Sequence, residues 1–380
     1  MGKEVGSVDK SKRWNSLFNI AVIAGVLLCF TVADFLNEDR LFSETENRIL
    51  AKKPKFTWEA LWSGEYTAGA EEYLTDQFVS RDKWIGVKTL TDVTLGKKAI
   101  NGVYLGRDGY LVEQHLPEDF SGEIIEKKLA LLKKLTDSAG AKVMLVPTID
   151  NVQEDKLPAH AVTFNQKAFL DRAREYVGEE HWVNVYDMLE AHEQEELYYR
   201  TDHHWTVAGA YYGYLAWTEA TGRLPYPYDM EKRETVSDDF LGTLHSKVNL
   251  DWEPDRIAYF PETDRPMRVL YDMQKEADSL YEESYLETKN QYGFFLDDNH
   301  ALVEIETGEE GKGTLIVIKD SYANCLIPML APHYSKICVL DLRYYNGKLF
   351  PFLEQYGGED YEVLILYNCI HFLEDFRYTE

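Results

Sequence analysis

The apolar positions of this chain fall into distinct regimes. From Leu17 to Ala33 they run almost unbroken, with only Asn19 and Thr31 polar. With its flanks this run approaches the roughly 20 residues that carry a helix across a bilayer. Residues 36–55 are polar and charged and read as a linker. From Phe56 to about Lys98, Trp58, Leu61, Trp62, Tyr66, Tyr73 and Leu74 recur at mixed three- and four-residue spacings, which predicts helix. The charged stretch Asp76 to Asp82 interrupts it as a turn. Gly102 to Val112 reads as a hairpin centred on Asp108-Gly109, a dipeptide that tolerates the positive φ of tight turns.

From about Ser121 the pattern alternates between helix and strand. Gly122 to Gly140 is amphipathic and ends in Gly, and Lys142 to Val146 is a short apolar strand stopped by Pro147. Lys167 to Tyr176 predicts a helix, Trp182 to Tyr186 a strand, and Thr206 to Thr221 a helix with Thr206 as N-cap. Thr314 to Ile318, Lys336 to Leu340 and Glu362 to Leu366 are further buried strands. Strands this apolar need cover on both faces, so the alternation predicts an α/β fold with a mostly parallel sheet. Residues 230–312 break the pattern. They are polar, acidic and turn-rich, with strand-like pieces at Arg256 to Phe260 and Ala301 to Ile305. They read as a mixed segment inserted between two halves of the sheet, either a lid or substrate platform or a solvated elaboration.

Charge sets the compartment and removes one class of partner. Lys3, Lys10, Lys12 and Arg13 precede the apolar run, so the positive-inside rule puts residues 1–14 in the cytoplasm. Val32-Ala33-Asp34 is a poor cleavage site, which favours an uncleaved transmembrane signal anchor over 15–36 against a removed signal peptide. A linker over 37–55 and an extracytoplasmic domain over 56–380 complete the expected layout. The first 14 residues carry four positive and two negative side chains, so the −26 of the whole chain becomes −28 for the remainder. Nucleic acid needs a basic face, and none is visible. Cys29 lies in the apolar run, leaving three cysteines outside it, an odd number that argues against a disulfide framework. Cys338 and Cys369 read as small buried residues.

The chemistry concentrates in two stretches. Tyr198-Tyr199-Arg200-Thr201-Asp202-His203-His204-Trp205-Thr206 puts a carboxylate, two imidazoles and an indole just before a helix. Lys319-Asp320-Ser321-Tyr322-Ala323-Asn324 follows a buried strand, where α/β hydrolases hold a nucleophilic serine. A serine hydroxyl is a weak nucleophile at neutral pH. It needs a base within hydrogen-bond reach, and the base needs a group that fixes its tautomer. Asp202 and His204 are two residues apart, so in an extended loop they share a side while His203 points away. Asp202, His204 and Ser321 then form a candidate acyl-transfer triad, with no chemistry assigned to His203. The spacing is also compatible with Asp202 capping the helix and both histidines packing in a polar loop.

Tyr199 to Thr206, followed by Gly209-Ala210, resembles the signature of the DHHW protein family, which is similar to the alginate O-acetylation proteins of the SGNH-hydrolase-like superfamily. Asp76-Gln77-Phe78 with Arg81-Asp82, and Gly102 to Val112, resemble the opening of those domains. Asp320-Ser321-Tyr322 resembles their nucleophile turn, and Asp341 to Tyr345 a further block. His203 stands where the better-studied members carry Thr. The resemblance implies a three-layer α/β/α SGNH-like domain and a triad in the reversed order Asp202, His204, Ser321. It implies an extracytoplasmic O-acyltransferase or esterase, with acetyl foremost, acting on a polysaccharide beside a membrane-bound O-acyltransferase partner. The reaction so implied is ping-pong. Ser321 takes the acyl group with His204 as base, backbone N–H groups after Ser321 hold the oxyanion, and a sugar hydroxyl or water accepts.

Four more residues are candidate substrate contacts. Asn151 and Asn299 are possible oxyanion donors in loops, with ordinary turn roles the simpler reading. Trp205 offers a sugar platform or a packing residue, and Arg343 an anion contact or a partner for an acid; packing and pairing are the simpler readings. A non-catalytic carbohydrate-binding or scaffold subunit would keep the fold and not need Ser321. A metal-dependent phosphoesterase would need more ligand motifs than Asp202-His203-His204, and His115, His160, His245, His333 and His371 are scattered singly. No metal or cofactor is expected. The acidic field favours a neutral or amino-sugar polymer over a strongly anionic one.

Overall fold

The computed structural model describes residues 5–43, 48–261, 266–356 and 361–378. Residues 1–4 of the expected cytoplasmic segment, 44–47 of the expected linker and 262–265 of the 230–312 segment lie outside the described residues. The chain divides into two units, residues 1–91 and 92–380. The domain expected over 56–380 is therefore split, and its first helices group with the N-terminal one.

The first unit is mainly helical. Helix α1 (Val5–Leu36) contains a 25-residue stretch, Lys12–Leu36, long and apolar enough to cross a membrane. The helix predicted over 56–98 is three helices, α2 (Trp58–Ser63), α3 (Glu65–Gln77) and α4 (Arg81–Thr94). Gly64 makes the first break at φ +86°, a left-handed conformation that a Cβ disfavours. Ser80, also at positive φ, makes the second.

In the second unit the predicted hairpin forms between β1 (Val103–Leu105) and β2 (Leu111–Glu113), with Asp108 and Gly109 both at positive φ. Helix α5 (Gly122–Ala139) starts where Ser121 Oγ accepts from Ile124 N–H and stops at the left-handed Gly140. Helix α6 spans Gln166–Val177 and helix α7 Val207–Thr221, the latter capped by Thr206 as predicted. A short helix α8 (Thr243–Val248) and a C-terminal α9 (Cys369–Asp375) complete the helices needed here.

The central sheet has seven strands: β3 (Lys142–Val146), β4 (Arg268–Tyr271), β5 (Lys275–Ala277), β6 (Leu302–Glu306), β7 (Thr314–Lys319), β8 (Lys336–Asp341) and β9 (Tyr361–Asn368). Their order is β5-β4-β6-β8-β7-β9-β3. The pairings among β8, β7, β9 and β3 are parallel and those among β5, β4, β6 and β8 antiparallel. The sheet is thus mixed, not mostly parallel. The difference comes from residues 230–312, which add β4, β5 and β6 to the sheet and also hold a separate antiparallel pair, Glu234–Phe240 with Asp255–Tyr259. Strand β6 forms where Ala301 to Ile305 reads as strand-like, whereas β4 and β5, outer strands with a wet face, keep polar residues that hid them among the turns. Trp182 to Tyr186, predicted as a strand, makes a single bridge to Val143 and then enters a short helix at Val185.

Strand β7 is buried on both faces. Leu315 and Val317 pack with Trp205 and with Ala210, Tyr214 and Trp217 of α7. Ile316 and Ile318 pack with Leu129, Leu132 and Leu135 of α5 and with Phe372. At about 1.5–3 kcal/mol for each large side chain buried, these contacts fix the strand that leads into Ser321.

Candidate active site

The end of β7 delivers Ser321. Asp320 Oδ1 accepts from Tyr322 N–H at 3.0 Å, while Oδ2 accepts from Asn368 N–H at 3.0 Å and meets His371 Nδ1 at 2.9 Å. The serine turn is thereby tied to the end of β9 and the start of α9. Burial opposes the charge on Asp320, but His371 and Arg343 outweigh it and hold the carboxyl below its usual range. The N–H groups of Tyr322 and Ala323 are both taken by Asp320. They do not face an oxyanion, contrary to the expectation for the residues after the serine. The N–H of Ser321 itself heads the turn and has no acceptor among the described residues.

The second loop is closed by an antiparallel bridge between Tyr198 and Trp205, and it bends instead of running extended. Asp202 Oδ1 accepts from His204 Nδ1 at 2.5 Å and from His204 N–H at 3.0 Å. His204 Nε2 lies 2.8 Å from Ser321 Oγ. Asp202 Oδ2 accepts from Thr243 N–H at 2.8 Å and from Thr243 Oγ1 at 3.0 Å. Gly242 makes room for this contact, because a Cβ there would overlap the Asp202 carboxylate. Asp202, His204 and Ser321 are all buried. Burial pushes the Asp202 pKa up, but the histidines and the Thr243 N–H outweigh it and keep Asp202 far below the usual carboxylate range.

Two rings hold His204. Tyr292 stacks on it with centroids 3.8 Å apart and 12° between planes, and its hydroxyl donates to Ser321 O at 3.2 Å. The His203 ring lies 3.9 Å away, so it does not point away from His204, as an extended loop would require. Its Nδ1 meets Thr243 Oγ1 at 2.8 Å, and burial pushes its pKa down to about 3, leaving it neutral at physiological pH. Donor atoms of Asp202, His203 and His204 lie within 4.8 Å of one another, close enough for a cation. Both Asp202 oxygens and both His204 nitrogens are already hydrogen-bonded, so a cation there would break the chain to Ser321.

The four candidate substrate contacts are all committed to the scaffold. Trp205 is fully buried and donates from Nε1 to Tyr322 O at 2.8 Å, so it cannot serve as a sugar platform. Asn151 donates to Phe164 O at 3.0 Å and accepts from Gln166 N–H at 2.9 Å. Asn299 accepts from the buried Lys319 Nζ at 2.8 Å and donates to Asp298 at 2.8 Å. Each amide thus holds at least two partners within the scaffold. Arg343 grips Asp341 through two nitrogens, at 2.6 and 2.9 Å, which is the pairing reading.

Thr243, Tyr292 and His371 escaped the sequence reading. Thr243 and Tyr292 lie in the segment taken as an insertion, and His371 was a single histidine with no local partner. The one available signal was the approach of Asp320 to a second imidazole, which only the adjacency of β7 and β9 creates. A small cleft beside His203 and His371 is also lined by Glu113, His115 and Asp150.

The profile of the DHHW protein family matches residues 98–340. No curated protein matches the chain. Among solved structures, a DHHW family protein from Eubacterium siraeum superposes with a TM-score of 0.60 at 23% identity, covering 72% of this chain and 93% of that one. PatB1 from Bacillus cereus, solved with a sulfonyl adduct, superposes with a TM-score of 0.59 at 20% identity, covering 73% of this chain and 98% of that one. The O-acetyltransferase domain of AlgJ from Pseudomonas putida gives a TM-score of 0.43 at 17% identity, covering 73% of this chain and 94% of that one.

Proposed function

The chain belongs to the DHHW protein family, and we propose that it is a membrane-anchored serine O-acyltransferase or esterase acting on a cell-envelope polysaccharide. One observation carries the reading. Ser321 Oγ, His204 Nε2, His204 Nδ1 and Asp202 Oδ1 form a continuous hydrogen-bonded chain, with links of 2.8 and 2.5 Å, between loops 117 residues apart. A chance polar contact rarely aligns both nitrogens of one imidazole with a hydroxyl and a carboxylate, and this is the arrangement acyl transfer needs.

In the proposed reaction His204 Nε2 takes the Ser321 proton as Oγ attacks the acyl carbonyl. Asp202, held by Thr243, keeps Nδ1 protonated and stabilises the imidazolium. The Ser321 N–H is the donor offered to the developing oxyanion. His204 then returns the proton to the departing alcohol. A sugar hydroxyl or water, deprotonated by the same nitrogen, releases the acyl group from Ser321. Acetyl is the foremost acyl group on the resemblance to O-acetylation proteins. Helix α1 anchors the domain, with the basic residues before the span on the cytoplasmic side.

The test is covalent labelling of the full chain in detergent. The adduct on the Bacillus cereus neighbour makes a sulfonyl fluoride the reagent of choice. We expect one adduct by intact mass, mapped to Ser321, absent in Ser321→Ala and formed at least about 10³-fold more slowly in His204→Ala. A folded chain that takes no label at Ser321 sinks the enzyme reading and favours the carbohydrate-binding or scaffold role.

A further inference from the structure

The first unit carries a surface that the proposed chemistry does not use. The turn between α3 and α4, with Trp84 of α4, packs against the outer end of the span, and α2 packs on α3. Asp34 Oδ1 accepts from Val79 N–H at 2.7 Å. Phe30 stacks on Phe78 with centroids 5.7 Å apart, and Trp84 meets the same Phe30 ring edge-on at 5.7 Å. A groove between α1 and α4 is walled by Cys29, Phe30 and Ala33 on one side and by Lys83, Trp84 and Val87 on the other.

Those contacts set a height. Phe30 lies six residues inside the outer end of the span Lys12–Leu36. At 1.5 Å per residue that is about 9 Å along the axis. An amphipathic helix lying in a bilayer interface buries its apolar face about 5–10 Å deep. If α1 crosses a bilayer, Trp84 and Phe78 therefore lie at the boundary between headgroups and acyl chains.

The surface there has the matching chemistry. Trp62 is 84% exposed, Val87 55% and Trp84 47%, and Trp58 and Leu74 are also exposed. A soluble domain seldom leaves three tryptophans in water on neighbouring helices, whereas Trp concentrates at membrane interfaces. A second groove, of about 740 Å³, opens between α3 and α4, where apolar Leu74, Phe78, Trp84 and Ile85 share the lining with charged Glu71, Arg81 and Lys88, the mix that an acyl chain meeting a zwitterionic headgroup requires. Trp84 belongs to both grooves, so the apolar surface is continuous with that of the span.

We infer that α2–α4 form an interfacial collar: they lie in the outer leaflet, with lipid headgroups and upper acyl chains filling the two grooves. The collar rests on α1 crossing the bilayer and is independent of the chemistry at Ser321. Lys83, in the wall of the first groove, is placed to meet a lipid phosphate.

Spin labels on the full chain test it. With Cys29→Ser as background, single labels at Val87→Cys and Trp62→Cys would be read in phosphatidylcholine vesicles. Val22→Cys, inside the span, is the lipid reference and Asp171→Cys, on the second unit, the solvent reference. The readout is accessibility to oxygen relative to a water-soluble nickel chelate. We expect that ratio at positions 87 and 62 to exceed the value at position 171 several-fold and to approach the value at 22. Lipid-like values at 22 with solvent-like values at 87 and 62 would overturn the collar alone. Solvent-like values at 22 would overturn the anchor and the collar together. Labels at 87 and 62 that are immobilised and shielded from both reagents would mean that a protein covers this face, which also overturns it. None of these outcomes bears on labelling at Ser321.

Discussion

At the scale of single residues, the proposed site is a set of hydrogen bonds in which each atom has one task. Asp202 divides its oxygens between His204 and Thr243. Asp202→Asn would present an amide to His204 Nδ1 and favour the wrong tautomer, so we expect kcat for an activated acetyl ester to fall by about 10³–10⁴. Thr243→Val removes one of two bonds to Oδ2 and leaves the backbone N–H. A net hydrogen bond of about 0.5–1.5 kcal/mol corresponds to a loss of only about 2- to 12-fold. Gly242→Ala acts by shape, because the added methyl overlaps the carboxylate; its loss in kcat should exceed that of Thr243→Val while the circular dichroism spectrum is kept. If Thr243→Val matches Asp202→Asn, the orienting role given to Asp202 is wrong. The chain Asp202, His204, Ser321 was legible because two of its members share a loop and the third follows an apolar strand. Thr243 and Tyr292 were not, since a threonine at a helix start and a tyrosine in an acidic segment carry no local mark of the carboxylate and the imidazole they respectively hold.

At the scale of elements, the two loops meet because α7 lets them. Gly209 and Gly213 lie one turn apart on it, facing Leu197 O and the Trp205 ring. The indole, seated there, donates to Tyr322 O and so couples the histidine loop to the serine turn. Gly213→Ala should gain up to about 1 kcal/mol of helix propensity. It should lose about 1–3 kcal/mol by overpacking, because a Cβ would sit 2.7 Å from the fully buried ring. The second effect wins, and we expect a lower Tm in thermal unfolding; a Tm at or above that of the unchanged chain would show that the ring can move aside. Helix α7 and strands β7, β8 and β9 were legible from their periods and caps. Strand β6 was legible as the strand-like run Ala301 to Ile305; β4 and β5 were not, because antiparallel strands at the sheet's outer side keep polar residues and resemble turns. That difference matters for the site, since Tyr292 reaches His204 from the link between β5 and β6.

At the scale of the whole molecule, buried charge joins the hairpin to the sheet. His115 follows β2, and its ring lies 3.7 Å from Asp150, just after β3, and 3.8 Å from Glu113. Burial alone would lower the His115 pKa, but the two carboxylates outweigh it and raise it to about 9. The folded state therefore holds a proton that the unfolded chain releases near its ordinary value of about 6.5. The resulting stabilisation is fully present below about pH 6.5 and is lost as pH rises through about 9. At about 1.4 kcal/mol per pKa unit it amounts to roughly 3 kcal/mol. The pH slope of the unchanged chain is not diagnostic, since a net charge of −26 also repels itself more strongly as protons leave. His115→Gln shares that repulsion and lacks the titrating ring. Urea midpoints of the full chain in detergent, compared at about pH 6 and about pH 9, should therefore fall more steeply for the unchanged chain than for His115→Gln. Equal falls would mean that His115 is neutral in the folded state, and that the hairpin is joined to the sheet by shape and not by charge.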